Sequence, residues 1–307
     1  MNPILIRHLY SSARRSRFFW LLALYLLGIG LLTLFFALIA AGGAFFFTVG
    51  NISMLDLFTG GRLLYWYSSV ILLLTAALLV PITALGSLAG ERENRTLDLL
   101  KMTTLRARNI VLGKLASSLL TGALYVLAPF PLLMMGFWLG GVTAIELFIT
   151  LLVLILTMLV SIAWALLLSA LVRKTIAAVL TFYGLTFASV PLISILATAI
   201  VGVSASWQYT DRVAFLPFWI EALVQHGWVI LAGLHPLTAA IAAEALGLEQ
   251  NTWFLLHFDV YRRQISSSTV LGTITLPSPW LTFIIFALSA TAAFLGLTVW
   301  RLKRPER

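Results

Sequence analysis

From Phe18 to Ala41 the chain runs without a single Asp, Glu, Lys or Arg. The same emptiness returns from Leu63 to Ala89, Leu115 to Gly140, Leu147 to Val172, Thr175 to Ser204 and Leu281 to Trp300. A helix rises about 1.5 Å per residue, so about 20 apolar residues cross a hydrocarbon core about 30 Å thick. All six stretches are long enough. A charge at mid-span costs about 2.5–3.5 kcal/mol on insertion scales, so the absence of charge is itself the signal. The pattern predicts an all-α polytopic membrane protein, a single transmembrane domain over 1–307 with spans at 18–41, 63–89, 115–140, 147–172, 175–204 and 281–300. The first stretch follows basic residues, as a signal peptide does, but its apolar core exceeds the usual ~7–15 residues and reads as a retained anchor.

Between the spans the basic residues fall unevenly. With the N-terminus inside, the inner segments hold Arg7, Arg14, Arg15, Arg17, Arg92, Arg95, Lys101, Arg106, Arg108, Lys114, Arg173, Lys174, Arg301, Lys303, Arg304 and Arg307. The outer ones hold only Arg62, Arg212, Arg262 and Arg263. The positive-inside rule therefore places both termini in the cytoplasm. The segment 205–280 is harder. Its weaker apolar pieces, Val213–Gln225 and Gly227–Ala245, are interrupted by Pro217, Glu221 and His235-Pro236. One crossing alone would move the basic C-terminal tail outside. Two short outer-face helices are expected there, or a re-entrant hairpin buried against protein, followed by an ordered polar loop from Glu249 to Pro279.

Composition agrees. Of 307 residues 61% are hydrophobic and 10% charged, with a mean hydropathy of +1.03. A soluble domain carries about 25% charged residues. The net charge of +9 follows topology and the anionic inner leaflet, so no nucleic-acid partner is implied. With no cysteine there is no disulfide, thiolate metal site or cysteine nucleophile. Trp20, Trp66, Trp138, Trp280 and Trp300 fall near predicted span ends, as an aromatic belt does. Glu146 and Glu221 read as solvated outer-face groups.

Two segments carry amphipathic or mixed-charge patterns. In 2–17, Asn2-Pro3 starts a helix. Leu5, Ile6, Leu9, Tyr10 and Ala13 share one side at 100° per residue, with Arg7, His8, Ser11, Arg14 and Arg15 opposite. Such a helix lies in the membrane interface with Arg7, Arg14, Arg15 and Arg17 towards phosphates, as an anchor or as an elbow leading into the first span. The second segment, 90–114, reads GERENRTLDLLKMTTLRARNIVLGK. It is the longest cytoplasmic loop, and its charges surround Leu97, Leu99, Leu100, Met102 and Leu105. Asp98 and Lys101 sit at helical spacing, with Asn94 or Thr96 as a cap. Leucines displayed in a charged loop fit a surface that a second protein covers.

That run resembles the segment joining the second and third spans in permease subunits of ABC transporters, of the ABC-2 exporter class. The resemblance rests on Glu91-Arg92-Glu93, Thr96-Leu97, Leu99-Leu100, Thr103-Thr104 and Val111–Lys114. The N-terminal NPILIRHL, the six spans and the outer segment between the fifth and sixth extend it over essentially the whole chain. Arg95 and Leu105 stand where that family often has Gly and Pro. The resemblance implies a membrane-spanning half-transporter that dimerises with a second permease, identical or not, in the plasma membrane. A cytoplasmic coupling helix would then seat in a groove of a separate ATP-binding subunit, with roles for Glu91, Arg92, Glu93, Thr96, Leu97, Leu99, Leu100 and Lys101. Spans two and five would line the path, and closure of two ATPases would rock the bundle.

The chain contains no G-x-x-x-x-G-K-[ST], so ATP and Mg²⁺ are expected on the partner and no cofactor on this chain. His8, His226, His235 and His257 are too scattered for a ligand set, and no H-E-x-x-H occurs. His235-Pro236 reads as a turn. Without an ionisable residue at mid-span, proton-coupled transport is disfavoured. Ser161, Ser169 and Ser194 lack an activating His or Asp within the spans, which argues against an intramembrane enzyme. The alternative from another class is a scaffold or sensor that docks a cytoplasmic partner and moves nothing.

Overall fold

The computed structural model describes residues 16–40, 54–94, 96, 106–209, 218–250, 252–264 and 267–303. The proposed interfacial helix, with Arg7, Arg14 and Arg15, lies outside them, as do Leu97, Leu99, Leu100 and Lys101; Arg17 falls in the first turn of a helix. The elements are α1 (Ser16–Ala40), α2 (Met54–Leu74), a π-helical turn (Thr75–Leu79), α3 (Ile82–Glu93), α4 (Ala107–Leu127), α5 (Phe130–Trp138), α6 (Ala144–Leu171) and α7 (Thr175–Tyr209). After these come α8 (Phe218–Ala232), α9 (Pro236–Gln250), β1 (Leu255–Gln264), β2 (Ser267–Pro277) and α10 (Pro279–Lys303).

Among the described residues, five runs are long and apolar enough to cross a membrane: Phe58–Glu93, Ala107–Leu127, Ala144–Leu171, Thr175–Ile200 and Pro279–Lys303. Runs of this length and apolarity indicate a membrane protein. In α1 the apolar piece among described residues is the shorter Ala23–Phe35.

Two expected spans are interrupted. The one predicted over 63–89 is a helical run from Met54 to Glu93, broken by the π-helical turn and Pro81. The one predicted over 115–140 is α4 and α5, separated at Ala128–Pro129, because proline supplies no amide and clashes with the preceding turn. The polar loop is also shorter than 90–114: α3 continues to Glu93 and α4 begins at Ala107.

Contacts among the described residues divide the chain into two compact units, with boundaries at Tyr183/Gly184 and Ala287/Leu288. In the first, α3, α4, α6 and the end of α10 share a core of Leu88, Val111, Ala170 and Leu302. Trp164 of α6 packs on Phe294 of α10 at 4.9 Å between ring centroids. The Tyr25 hydroxyl of α1 donates to the Tyr125 carbonyl of α4 at 3.0 Å.

In the second unit, α8 and α9 are the two short helices expected between the fifth and sixth spans, but their break falls at Gly233–His235. The expected polar loop instead holds an antiparallel hairpin, so the all-α description applies to the membrane helices and not to this segment. Along β2 the exposed Thr273 and Thr275 alternate with the half-buried Ile274 and Leu276, and Leu276 meets a core of Val229, Leu246 and Leu256. The pairing slips by one residue at Val260/Tyr261. Trp280 is no belt residue. It is buried, and its indole donates to the Trp253 carbonyl at 2.5 Å. Trp20, Trp138 and Trp300 are exposed, as a belt requires.

His235 forms the α8–α9 turn. Its Nδ1 accepts from the Leu237 amide at 3.3 Å, and burial holds its pKa below the usual 6.5. The folded form thus prefers neutral imidazole and the unfolded chain binds more protons as pH falls through about 6.5, so stability present above that range is lost on acidification. We expect Tm to fall between pH 7 and pH 5, and His235→Gln to have a smaller pH-dependent fall. Parallel thermal melts in lipid nanodiscs check this.

Candidate functional site

The charged triplet at the end of α3 is positioned by three neighbouring helices, and each charge finds a different one. Small residues make this approach possible. Ala84, Leu85, Leu88 and Ala89 are buried on one side of α3, where Ser169 of α6 inserts its hydroxyl. That hydroxyl donates to the Leu85 carbonyl at 2.6 Å and faces the amides of Leu88 (3.1 Å) and Ala89 (2.9 Å). With α3 pinned there, residues 91–93 emerge among three helix ends.

Glu91 pairs with Lys114 of α4 at 2.8 Å, and the Lys114 ammonium also donates to the Ser87 carbonyl. Lys114 is buried, so neither contact is a casual surface pair. Arg92 donates to the Ala170 carbonyl at 2.6 Å and reaches the Val172 carbonyl at 3.5 Å. Those are the last carbonyls of α6, the negative end of that helix. Glu93 accepts from the Thr175 hydroxyl at 2.8 Å and the Thr175 amide at 3.3 Å, at the positive end of α7. The alternation of sign in the sequence thus matches three binding sites of opposite character: an ammonium, a helix C-terminus and a helix N-terminus. Charge-assisted hydrogen bonds of this type contribute about 1.5–3 kcal/mol each when sheltered, and less for the exposed Glu93.

Beyond the triplet the chain turns sharply. Thr96 directs both its amide (2.8 Å) and its hydroxyl (3.2 Å) at the Glu91 carbonyl, and Asn94 terminates α3 instead of starting a helix. Both ends of the loop between α3 and α4 are therefore fastened: the first through Glu91, Arg92 and Glu93, the second through Lys114 at the start of the third turn of α4. The resemblance implies coupling roles for these three charges, and in the structure their side chains contact the chain's own helices. It also brings in Ser169 and Thr175, to which the sequence reading gave no role at this loop, and makes Lys114, the last residue of the quoted motif, the ammonium that Glu91 meets. Lys114 was visible as a lone cation at the start of an apolar run.

The opposite ends of α2 and α6 hold a second polar cluster. Glu146 is buried, not solvated as its position after a span suggested. It completes a capping box with Thr143, accepting from the Thr143 amide at 2.6 Å, and it lies 3.5 Å from Arg62 of α2. Tyr65 adds a hydrogen bond to the Glu146 carbonyl at 3.0 Å and one shared with Thr150 at 2.5 Å. The signal was the spacing Thr143-x-x-Glu146 ahead of an apolar run.

A family model described as ABC-2 family transporter protein matches residues 51–220, more than half of the 307. The chain belongs to the ABC-2 transporter family. The match spans α2 to the start of α8, and so contains both polar clusters and the whole α3–α4 connection. Membership makes the chain an ABC transporter permease, a type that generally works with an ATP-binding subunit. A comparison with curated proteins returned no match.

Proposed function

We propose that this ABC-2 permease is one half of a dimeric, ATP-driven exporter in the plasma membrane, with six spans and both termini cytoplasmic. Its energy comes from a separate subunit that binds ATP and Mg²⁺ and docks on the α3–α4 loop. The observation that carries this reading is the fastening of that loop at both roots. A load applied to the loop passes into α3 and α4 directly, into α6 through Arg92 and Ser169, and into α7 through Glu93. A tether without mechanical purpose needs none of these contacts.

Roles within the segment then divide. Glu91, Arg92, Glu93 and Thr96 root the loop, while Leu97, Leu99, Leu100 and Lys101 form the part that enters the partner's groove. Apolar side chains supply the buried area there, and the cation fixes orientation. Arg7, Arg14, Arg15 and Arg17 hold an interfacial helix on the inner leaflet.

The test starts from the full-length chain, tagged and extracted in mild detergent from its native membrane. A subunit bearing G-x-x-x-x-G-K-[ST] should co-purify with it, together with a second permease. Because the chain has no cysteine, single Ile82→Cys and Leu180→Cys variants report accessibility cleanly. Labelling at both should change on trapping with ATP and vanadate. Labelling indifferent to nucleotide would leave a scaffold that docks a partner and moves nothing.

A further inference from the structure

At the break in the second long apolar run, freed backbone carbonyls are served by side chains of other spans. Across Thr75–Leu79 the hydrogen bonds follow i→i+5 spacing, with the Val80 amide reaching the Thr75 carbonyl at 3.1 Å. In that register the Ala76 carbonyl should receive the amide of residue 81, which is Pro81 and has none. Ser161 of α6 donates to it instead, at 3.0 Å. The Leu78 carbonyl is likewise passed over, because the Thr83 amide turns back to Val80 at 3.3 Å. Tyr183 of α7 donates to Leu78 at 2.7 Å. Thr75, Ala76, Val80 and Pro81 are buried, and α4 closes on the break at Gly122, where any Cβ would strike Val80.

These two donors differ in kind. An unsatisfied carbonyl in hydrocarbon costs several kcal/mol, so each hydroxyl matters. Ser161 is short, sits on α6 and shares its single proton between the Ala76 carbonyl and the Thr157 and Met158 carbonyls of its own helix, so its contact with Ala76 follows α6 rigidly. Tyr183 spans the gap with a long, half-buried side chain from α7, and its bond opens by a small rotation of that ring or of the inner half of the span. Each half is held separately: the outer through Arg62 and Tyr65 to α6 at Glu146, the inner through Ser169, Lys114 and Arg92.

We propose that Thr75–Pro81 is a hinge within this span and that Tyr183 is the positioning residue that latches it, with Ser161 replacing the amide that Pro81 lacks. The idea rests on the permease reading for its purpose: displacement of the loop roots tilts α3, and the latch decides whether α2 follows. Single π-turns inside α-helices recur at functional sites. Its existence, however, is a property of this chain alone and is measurable without the ATPase or cargo.

The experiment places spin labels at Thr59→Cys and Asn94→Cys in the otherwise cysteine-free chain, reconstituted in lipid nanodiscs. Their separation is about 50 Å at ~1.5 Å per residue, within the range of pulsed electron–electron resonance. Tyr183→Phe removes only the latch oxygen. It should move the mean distance by several ångströms or broaden the distribution at least twofold, with α2 and α3 still helical by circular dichroism. Pro81→Ala restores the missing amide and should narrow the distribution. Adding Ser161→Ala to Pro81→Ala should then have no further effect, although Ser161→Ala alone disturbs the distance. A Tyr183→Phe distribution superimposable on the parent, or a loss of Tm without any distance change, would reduce the tyrosine to packing and overturn the proposal. Neither outcome would touch co-purification with an ATP-binding subunit, so the two readings fail separately.

Discussion

Lys114→Met should leave the ATP-binding subunit attached and yet cut stimulated ATP hydrolysis by at least fivefold. Methionine matches the length of the buried lysine, so α4 keeps its packing, but the Ser87 carbonyl and the Glu91 carboxylate both lose their donor. Leaving sheltered polar groups unpaired costs about 1–3 kcal/mol, and the contact connecting the roots of α3 and α4 goes with it. Leu99→Asp with Leu100→Asp should do the opposite, abolishing attachment while the permease folds normally, because it charges the docking part and leaves the roots intact. Glu91→Gln should be mild, since an amide oxygen still accepts from Lys114 and only the Coulombic share is lost. The order Lys114→Met, Glu91→Ala, Glu91→Gln in falling severity distinguishes hydrogen bonding from net charge. Co-purification and hydrolysis, measured on the same reconstituted complexes, separate docking from transmission. Equal attachment and equal hydrolysis in Lys114→Met would remove the roots from the mechanism.

The apolar runs were legible because lipid enforces them residue by residue, and the loop because its mixed charges interrupt that enforcement. What escaped depends on partners remote in sequence. Nothing local to Glu91-Arg92-Glu93 says that its charges face inwards, since Ala170 and Thr175 lie some eighty positions away. The hinge was equally hidden: Pro81 inside an apolar run predicts a kink, but the hydroxyls of Ser161 and Tyr183 are what make a π-helical turn tolerable in its place. Glu146 is different. Its capping box is present in the letters Thr143-x-x-Glu146, whereas position after a span points the other way, to solvent. The hairpin was also partly visible, because Thr273-Ile274-Thr275-Leu276 alternates with period two, the strand signature. The family match covers 51–220, so the hairpin lies beyond it.

Gly141→Ala should be the most damaging single methyl group that can be added to the first unit. A Cβ there would overlap the Phe58 carbonyl and the Arg62 amide, which are backbone and cannot rotate aside. Its neighbourhood offers no relief. Gly61 and Gly136 meet at the crossing of α2 and α5, where a Cβ on Gly136 would lie 2.7 Å from that of Tyr65, and Gly140 holds a φ of +84°. Close helix contacts in lipid depend on such small residues because packing, not water exclusion, drives association there. To admit the methyl, α2 must slide away from the α5–α6 turn, which pulls Arg62 from Glu146 and Tyr65 from Thr150. Overpacking alone costs about 1–3 kcal/mol, and the lost polar contacts add to it, so the cost should exceed about 3 kcal/mol. Fluorescence-detected size-exclusion of the tagged variant should show mostly aggregate. Gly296→Ala, in α10 with open space around it, is the matched control and should be neutral or slightly stabilising, since alanine is favoured over glycine in a helix by about 1 kcal/mol. If both variants ran as the parent does, the α2–α5 contact would be looser than its geometry requires, and the outer half of the hinged span would have no fixed body to turn against.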